Sequence, residues 1–590
     1  MLKNERWLLK NPKANFCEMS KALGVSELLC KILVNRKITD LDNANSFIKS
    51  DVKRLHSPKL MKDMQKAVTI IKNKISQDRK IRIVGDFDVD GVISTYLLYI
   101  ALSRCSAKVD YDIPHRIFDG YGINKNIIEK AKNEGVDTII TCDNGISAIE
   151  QIEYAKELGL TVVITDHHEI PFIEDEKGSR VYRTPDADAI IDTKQIDCNY
   201  PFKHLCGAGI AFKFIQVLYC EMGIPESEAY SLIEFVAIAT VCDVVDLIGE
   251  NRIFVKNGLE MLNNTQNIGL RALMRHTGIE GKKLNVYYLG FIIGPCINAS
   301  GRLDCALKGL KLLLTSNTEE ADALAEELHQ LNTERKDMTM KGVEEVSQII
   351  ENTNIKNDKV FVIYEPDIHE SIVGIIAGKI RERYNVPTII LTNGEHGVKG
   401  SGRSIEEYNM FEELLKCKDL LEKFGGHPMA AGLSLDVENV DILRERVNKL
   451  TALTDDDLIP KIYIDAHIPL EYINLSLAED LTILEPYGKG NPKPLFAEKD
   501  IRIFRGMVLG ANKNVLKLRL ATKNNNCLDC IYFGDIKAFD NYIISRFGQN
   551  ELDKMYSGIS NSIKLDLIFN IEINEYNGNR TAQLIMQYYR

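Results

Sequence analysis

Four apolar runs in the first half of this chain each stop at acidic or imidazole side chains, and that repetition constrains the fold more than any other feature. Ile81–Val84 reads as a buried strand and breaks into Gly85-Asp86-Phe87-Asp88-Val89-Asp90-Gly91. The stretch after it, Val92–Leu98, reads as a helix, so three carboxylates crowd a strand-to-helix turn. Thr138–Thr141 ends in Cys142-Asp143-Asn144-Gly145, and Thr161–Thr165 ends in Asp166-His167-His168-Glu169. Later, Phe235–Thr240 leads into Val241-Cys242-Asp243. The first three runs, alternating with helix-period stretches, predict a parallel sheet covered on both faces. The carboxyl ends of parallel strands are where such sheets build their sites.

Each ending has a plain alternative: a solvated acidic loop, a turn aspartate before glycine, a half-exposed histidine pair, a helix cap. Four of them in one domain favour a common cause. Crowded carboxylates repel unless a cation sits among them. Oxygen donors select a hard divalent ion, and an added imidazole tilts the choice from Mg²⁺ toward Mn²⁺. The set suits a site for two ions.

The 590 residues are too many for one core, so several domains are expected. A net charge of -11 argues against a uniformly basic nucleic-acid coat and leaves room for a local basic groove. No apolar run is long enough to span a bilayer, and the first residues lack the apolar stretch of a signal peptide. Thirteen scattered cysteines fit a reducing cytoplasm rather than a disulfide framework. Cys527 and Cys530 form one CxxC without a second pair, too few ligands for structural zinc.

Asp166-His167-His168, with the Gly85–Gly91 stretch upstream, resembles the DHH phosphoesterase superfamily, and within it the single-strand-specific 5′→3′ DNA exonucleases. The likeness runs from about residue 75 to past 530 over separated motifs. These include Pro114-His115-Arg116 with Asp119-Gly120-Tyr121-Gly122, and Gly294–Asp304, which contains Asn298 and Arg302. His369-Glu370-Ser371, Ser401-Gly402-Arg403-Ser404, Gly425-Gly426-His427 and Pro486-Tyr487-Gly488 continue it. Three departures stand out. Cys296 replaces an arginine usual in the family, His115 an asparagine, and Asp192-Thr193 an Asn-Pro. The first two would weaken contacts to substrate phosphates.

The resemblance implies two α/β lobes, a DHH domain with a parallel sheet and a DHH-associated domain, joined by a long helix and followed by an OB-like β-barrel. Residues 1–75 read as a helical lead-in packing on the first sheet, 76–310 as the DHH domain and 311–352 as the connecting helix. Residues 353–455 read as the DHH-associated domain and 456–590 as the OB-like domain. In the last, Leu516-Lys517-Leu518-Arg519-Leu520 alternates apolar and basic. Seven Lys or Arg and one acid lie between Lys499 and Lys523. This suits a strand-tracking groove including Tyr487, Lys513, Lys517 and Arg519. The alternative is an edge strand protected by lysines.

The resemblance further implies that Asp86, Asp88, Asp90, Asp143, His167 and Asp243 hold two ions, Mn²⁺ or Mg²⁺, with Asp143 between them. Asp166 would orient His167. His168 would contact a phosphate or the leaving group, or be structural. His427 would act at the scissile phosphate. Arg116, Asn298, Arg302, His369, Ser401 and Arg403 would bind the 5′-phosphate, arginine suiting it through its planar fork. The alternative makes Arg302 and Arg403 structural ion-pair partners. The implied reaction degrades single-stranded DNA to 5′-mononucleotides in repair and recombination. The expected setting is a cytoplasmic monomer away from membranes, with single-strand-binding protein and a recombination helicase as partners. Two rivals remain: a small-substrate phosphodiesterase, which residues 456–590 disfavour, and a silent single-strand-binding scaffold, which a full ligand set disfavours.

Overall fold

The computed structural model describes residues 5–174, 179–394, 397–510, 512–522 and 527–590. The chain forms two compact units. One is Asp51–Leu458; the other joins the residues up to Ser50 with Ile459–Arg590.

The first lobe of the Asp51–Leu458 unit is built on five parallel strands. Their spatial order is Lys108–Asp112, Lys80–Val84, Thr138–Cys142, Thr161–Thr165, Ala189–Ile191. The central strands are valine- and isoleucine-rich and buried, as a sheet covered on both faces requires. The order reverses direction between Lys80–Val84 and Thr138–Cys142, and that switch point opens a crevice between two strand ends. Both Gly85–Gly91 and Asp143 leave the sheet there.

The run Phe235–Thr240, left without an assignment above, lies inside the buried helix Ile233–Cys242, with Asp243 as its C-cap. A fully buried helix is apolar all round, so periodicity cannot separate it from a buried strand.

The 35-residue helix Thr318–Asn352 links the lobes. Ala321, Ala325 and Leu328 near its start enter the first lobe's core. Val346 and Ile350 near its end pack with Ile363 and Ile376 of the second. The second lobe's sheet runs Lys423–His427, Ala430–Leu435, Val398–Arg403, Thr388–Asn393, Phe361–Tyr364, antiparallel except for the last pair.

In the other unit, Phe496–Leu509, Val515–Ala521, Cys527–Tyr532, Asn579–Tyr589 and Lys564–Tyr576 pair in that order, and the last pairs back onto the first. Numbered in chain order this is a closed 1-2-3-5-4 barrel. Val515–Ala521, which carries Lys517 and Arg519, has a paired strand on each side, so a lysine-guarded edge does not account for those two residues.

The lead-in expected to pack on the first sheet divides. Leu29, Leu33 and Phe47 enter the same core as Leu518 and Phe569 of the barrel. Arg6–Leu9 pairs in parallel with Lys461–Ile464. The later part, with helix Met64–Ser76, sends Met61, Met64, Val68 and Ile71 into the first lobe. An amphipathic helix announces an apolar face but not which core receives it.

Candidate active site and metal centre

The loop after Lys80–Val84 carries the first carboxylates. Asp88 is the N-cap of helix Val89–Arg104, its Oδ1 accepting from the backbone N–H groups of Asp90 (2.9 Å) and Gly91 (3.1 Å). Asp90 sits in the first turn and reaches across to the start of helix Gly207–Met222. There its oxygens accept from the N–H groups of Gly207 (2.6 Å) and Ala208 (2.8 Å). Gly207 cannot be larger, because a Cβ would stand 2.7 Å from Cβ of Asp143.

Asp143 leaves the neighbouring strand in the left-handed region, at φ 61. Aspartate tolerates that conformation better than most residues, and such residues cluster at functional sites. Asn144 fixes the turn: its amide donates to the carbonyls of Val84 and Cys142 and accepts from Ile123 N–H.

These loops bring all six expected ligand side chains together. Oxygens of Asp86, Asp88 and Asp143 lie within 4.8 Å of one another. So do ligand atoms of Asp90, His167 and Asp243, and those of Asp143, His167 and His168. Nε2 of His167 is 3.0 Å from Asp143 Oδ1, 3.7 Å from Asp90 Oδ2 and 3.8 Å from Asp243 Oδ2. Asp143 thus belongs to both halves of the cluster.

The residues fit divalent cations. Oδ1 of Asp86 and Oδ2 of Asp243 are buried without a hydrogen-bond partner. Burial, then the charge of neighbouring aspartates, holds the carboxyls of Asp86, Asp143 and Asp243 far above the usual range and lifts Asp90 to about 7. Burial and the charge of His168 push His167 down to about 3, so its imidazole is neutral, as a ligand must be. Acids this crowded need cations to remain ionised together, and carboxylate oxygens with one imidazole suit Mn²⁺ or Mg²⁺.

One expected role is corrected. Asp166 does not bond the ring of His167. Its Oδ1 takes the ring Nδ1 of His168 at 2.7 Å and the backbone N–H of His167, while Oδ2 takes Ile146 N–H at 2.9 Å. The ring of His167 meets Asp143 Oδ1 at 3.0 Å instead. Burial alone lowers His168, but Asp166 more than offsets it and raises the imidazole to about 9.

Tyr121, which the Asp119–Gly122 motif contains without a role, proves central. Its hydroxyl donates to the Asp143 carbonyl at 2.9 Å and lies 3.1 Å from His168 Nε2.

Beside this cluster a cleft of about 750 Å³ opens between the lobes. Arg116, Tyr121 and Arg302 line it from the first lobe, and Ser401, Arg403 and Lys423 from the second. The Arg116 guanidinium lies 4.5 Å over the Phe87 ring. Arg302 donates to the Ser371 carbonyl at 2.5 Å. Arg403 donates to Ser401 Oγ at 2.7 Å, both on the strand Val398–Arg403. The helix Val373–Tyr384 points its N-terminus at the same cleft, favourable for an anion. Gly374 permits this, since a Cβ there would meet Arg403 Nη2 at 2.7 Å.

Burial, then the charges of Arg116 and Arg335, with Arg403 adding, pushes Arg302 down to about 9 although Asp88 pulls it up. No carboxylate ion-pairs Arg116, Arg302 or Arg403 among the described residues, which disfavours the structural ion-pair reading for the last two. Half-buried guanidiniums lining one cleft call for an anionic ligand. Arg335, held by Asn332 Oδ1 at 2.9 Å, is a member that sequence reading missed. It lies among many charges on the long helix, and nothing in its spacing marks it.

Other expected residues stand apart. His369 bonds Ser371 Oγ at 2.7 Å, behind the residue that holds Arg302. Asn298 is half-buried, one turn before Arg302 on helix Gly294–Leu303. Cys296 turns into the core and accepts from Asn332 at 3.4 Å. His427 lies exposed at the end of an edge strand and outside the cleft lining.

In the barrel unit, Leu516, Leu518 and Leu520 are buried while Lys517 and Arg519 face outward, opposite Met507 and Arg505 of the next strand. Asp529 pairs with Lys517 at 2.7 Å and lies 3.8 Å from Arg519. Lys513 is an exposed turn residue, and Lys523 lies outside the described residues. Tyr487 does not join this face: it is half-buried against the barrel core, its hydroxyl on the Leu481 carbonyl at 2.9 Å. An aromatic near basic residues in the text is as readily a core residue as a stacking platform.

Known proteins agree with this architecture. Residues 80–240 match the family model of the DHH family N-terminal domain, 357–452 the DHHA1 domain and 464–588 the RecJ OB domain. The chain is 35% identical over 587 residues to the single-stranded-DNA-specific exonuclease RecJ of Bacillus subtilis, covering 99% of this chain and 70% of that one. It is 32% identical to the enzyme of the same name from Haemophilus influenzae, covering 91% and 92%. The crystal structure of RecJ in complex with Mn²⁺ from Thermus thermophilus superposes with a TM-score of 0.80 at 25% identity, covering 99% of this chain and 79% of that one. With its catalytic lobes, bridging helix and barrel all matched, the chain belongs to the RecJ family of single-stranded-DNA-specific exonucleases.

Proposed function

We propose that this chain is a metal-dependent exonuclease that degrades single-stranded DNA from the 5′ end and releases 5′-mononucleotides. One observation carries the reading. The cluster of Asp86, Asp88, Asp90, Asp143, His167 and Asp243 adjoins a cleft whose arginines lack carboxylate partners among the described residues. A cation site beside an anion site is what hydrolysis near a phosphorylated end requires. The cleft has the size of an ordinary small-ligand pocket, enough for a terminal nucleotide.

Two divalent cations, Mn²⁺ or Mg²⁺, would supply Lewis acidity and a nucleophilic water for in-line displacement at phosphorus. The protein's own groups do the rest. Arg116, Arg302 and Arg403, with Ser401 and the helix N-terminus, seat the 5′-phosphate. Asp166 fixes Nδ1 of His168, so Nε2 faces Tyr121 and the substrate side. That ring presents its N–H to a phosphate oxygen. The barrel's Lys513, Lys517 and Arg519, with Arg505, track the rest of the strand. The same reading makes the chain a cytoplasmic monomer of DNA repair and recombination, working beside single-strand-binding protein and a recombination helicase. No helix among the described residues is long and apolar enough to cross a membrane.

The test is digestion of 5′- and 3′-end-labelled oligonucleotides, single-stranded and in matched duplex, with Mn²⁺, Mg²⁺ or chelator. Mononucleotides should leave the 5′ end of the single strand alone. Release from the 3′ end, or activity in chelator, would overturn the proposal.

A further inference from the structure

Phe118 is 75% exposed, far more than a large apolar side chain needs to be, and its position gives that exposure a meaning. Its loop runs from Arg116 to Tyr121, two residues that line the interlobe cleft. The loop is braced. His115 N–H donates to Asp119 Oδ2 at 2.8 Å and Asp119 N–H returns a bond to the His115 carbonyl at 2.8 Å. Nδ1 of His115 accepts from the N–H groups of Ile117 (3.3 Å) and Phe118 (3.4 Å). The His115 ring then backs the Phe118 ring, centroids 4.6 Å apart and planes 32° apart. An aromatic held this way has lost conformational freedom before any ligand arrives, while most of its surface remains in solvent.

We propose that Phe118 is a stacking platform for the base of the 5′-terminal nucleotide, a positioning residue for the exonuclease reaction. The proposal rests on the 5′-exonuclease reading above. If Arg116 and its neighbours hold the terminal phosphate and the Asp86–Asp143 cluster holds the next, the nucleoside between them lies along the Arg116–Tyr121 loop. Its phosphates meet charged groups, and its base needs an apolar face. Phe118 supplies one, and a phenyl ring accepts any base, because every base has a π-face. His115 then serves to back the platform rather than to touch phosphate.

The experiment compares Phe118→Ala, Phe118→Trp and the parent on two 5′-phosphorylated single strands, identical except that one carries an abasic site at the 5′-terminal position. Stacking is worth roughly 1–3 kcal/mol per base, so Phe118→Ala should lower kcat/KM about tenfold on the normal strand. On the abasic strand the variant and parent should agree within about twofold, and Phe118→Trp should keep the parent's preference for a base. Equal loss on both strands would overturn the proposal, since a merely folded-state defect is blind to the missing base. If the parent releases nothing from the 5′ end, the function itself has failed; if it does and the two strands respond alike, only the role of Phe118 has.

Discussion

Oδ1 of Asp166 lies 2.7 Å from Nδ1 of His168 and makes no bond to the ring of the intervening His167. The aspartate is therefore a partner of the His168 imidazole rather than of the His167 ring. Asp166→Asn should lower kcat about 10–100-fold, the usual cost of an outer partner, while Mn²⁺ affinity measured by calorimetry changes less than threefold. A matching loss of Mn²⁺ affinity would show that Asp166 acts through His167.

Asp143 is better replaced by asparagine than by alanine, because its φ of 61 favours Asn or Asp over other side chains. Asp143→Asn removes the carboxylate shared by both halves of the cluster and should cost more activity than Asp166→Asn does. Mn²⁺ should also stabilise the parent, because its crowded acids repel when bare. At a hundredfold excess over Kd the gain is about 2.7 kcal/mol, visible as a rise in Tm that chelator reverses. The variant should show no such rise; an undiminished one would remove Asp143 from the site.

Arg302 is half-buried, depressed toward about 9 and, among the described residues, tied to the chain by one bond, to the Ser371 carbonyl. A hydrogen bond to a charged group contributes about 1.5–3 kcal/mol. Arg302→Ala should therefore reduce kcat/KM roughly 10–150-fold on a 5′-phosphorylated strand and much less on a 5′-hydroxyl strand. Steady-state kinetics on the two substrates decides it, and equal losses would make Arg302 structural.

Leu33, fully buried, packs with the barrel's core residues. Leu33→Ala should cost about 2–5 kcal/mol in the unfolding of the barrel unit. Calorimetry should show that transition move while the Asp51–Leu458 transition holds. A shift in the latter instead would place the early helices with the catalytic lobes.

The strands at Ile81, Thr138 and Thr161 were legible because each is a short Val/Ile-rich run with a polar end, and buried parallel strands have no other pattern. Phe235–Thr240 could not be assigned from its text, because a helix buried on every side leaves the same mark. That Asp86 and Asp143 share a crevice follows from strand order, which βαβ text suggests but does not number. The pairing of Asp166 with His168 was not legible, because side-chain direction at a strand end depends on backbone angles. Neither was the half-buried Tyr487, nor Arg335, whose charge reaches Arg302 from another element.

The pairing of Arg6–Leu9 with Lys461–Ile464 has a consequence for synthesis. The opening helices leave the ribosome long before the strands that complete their core exist. At about 5–20 residues per second, some twenty to eighty seconds pass while Asp51–Leu458 is translated. Through that interval Leu29, Leu33 and Phe47 lack their final surroundings, so the newborn amino-terminal segment is the natural client of a chaperone and the natural target of a protease.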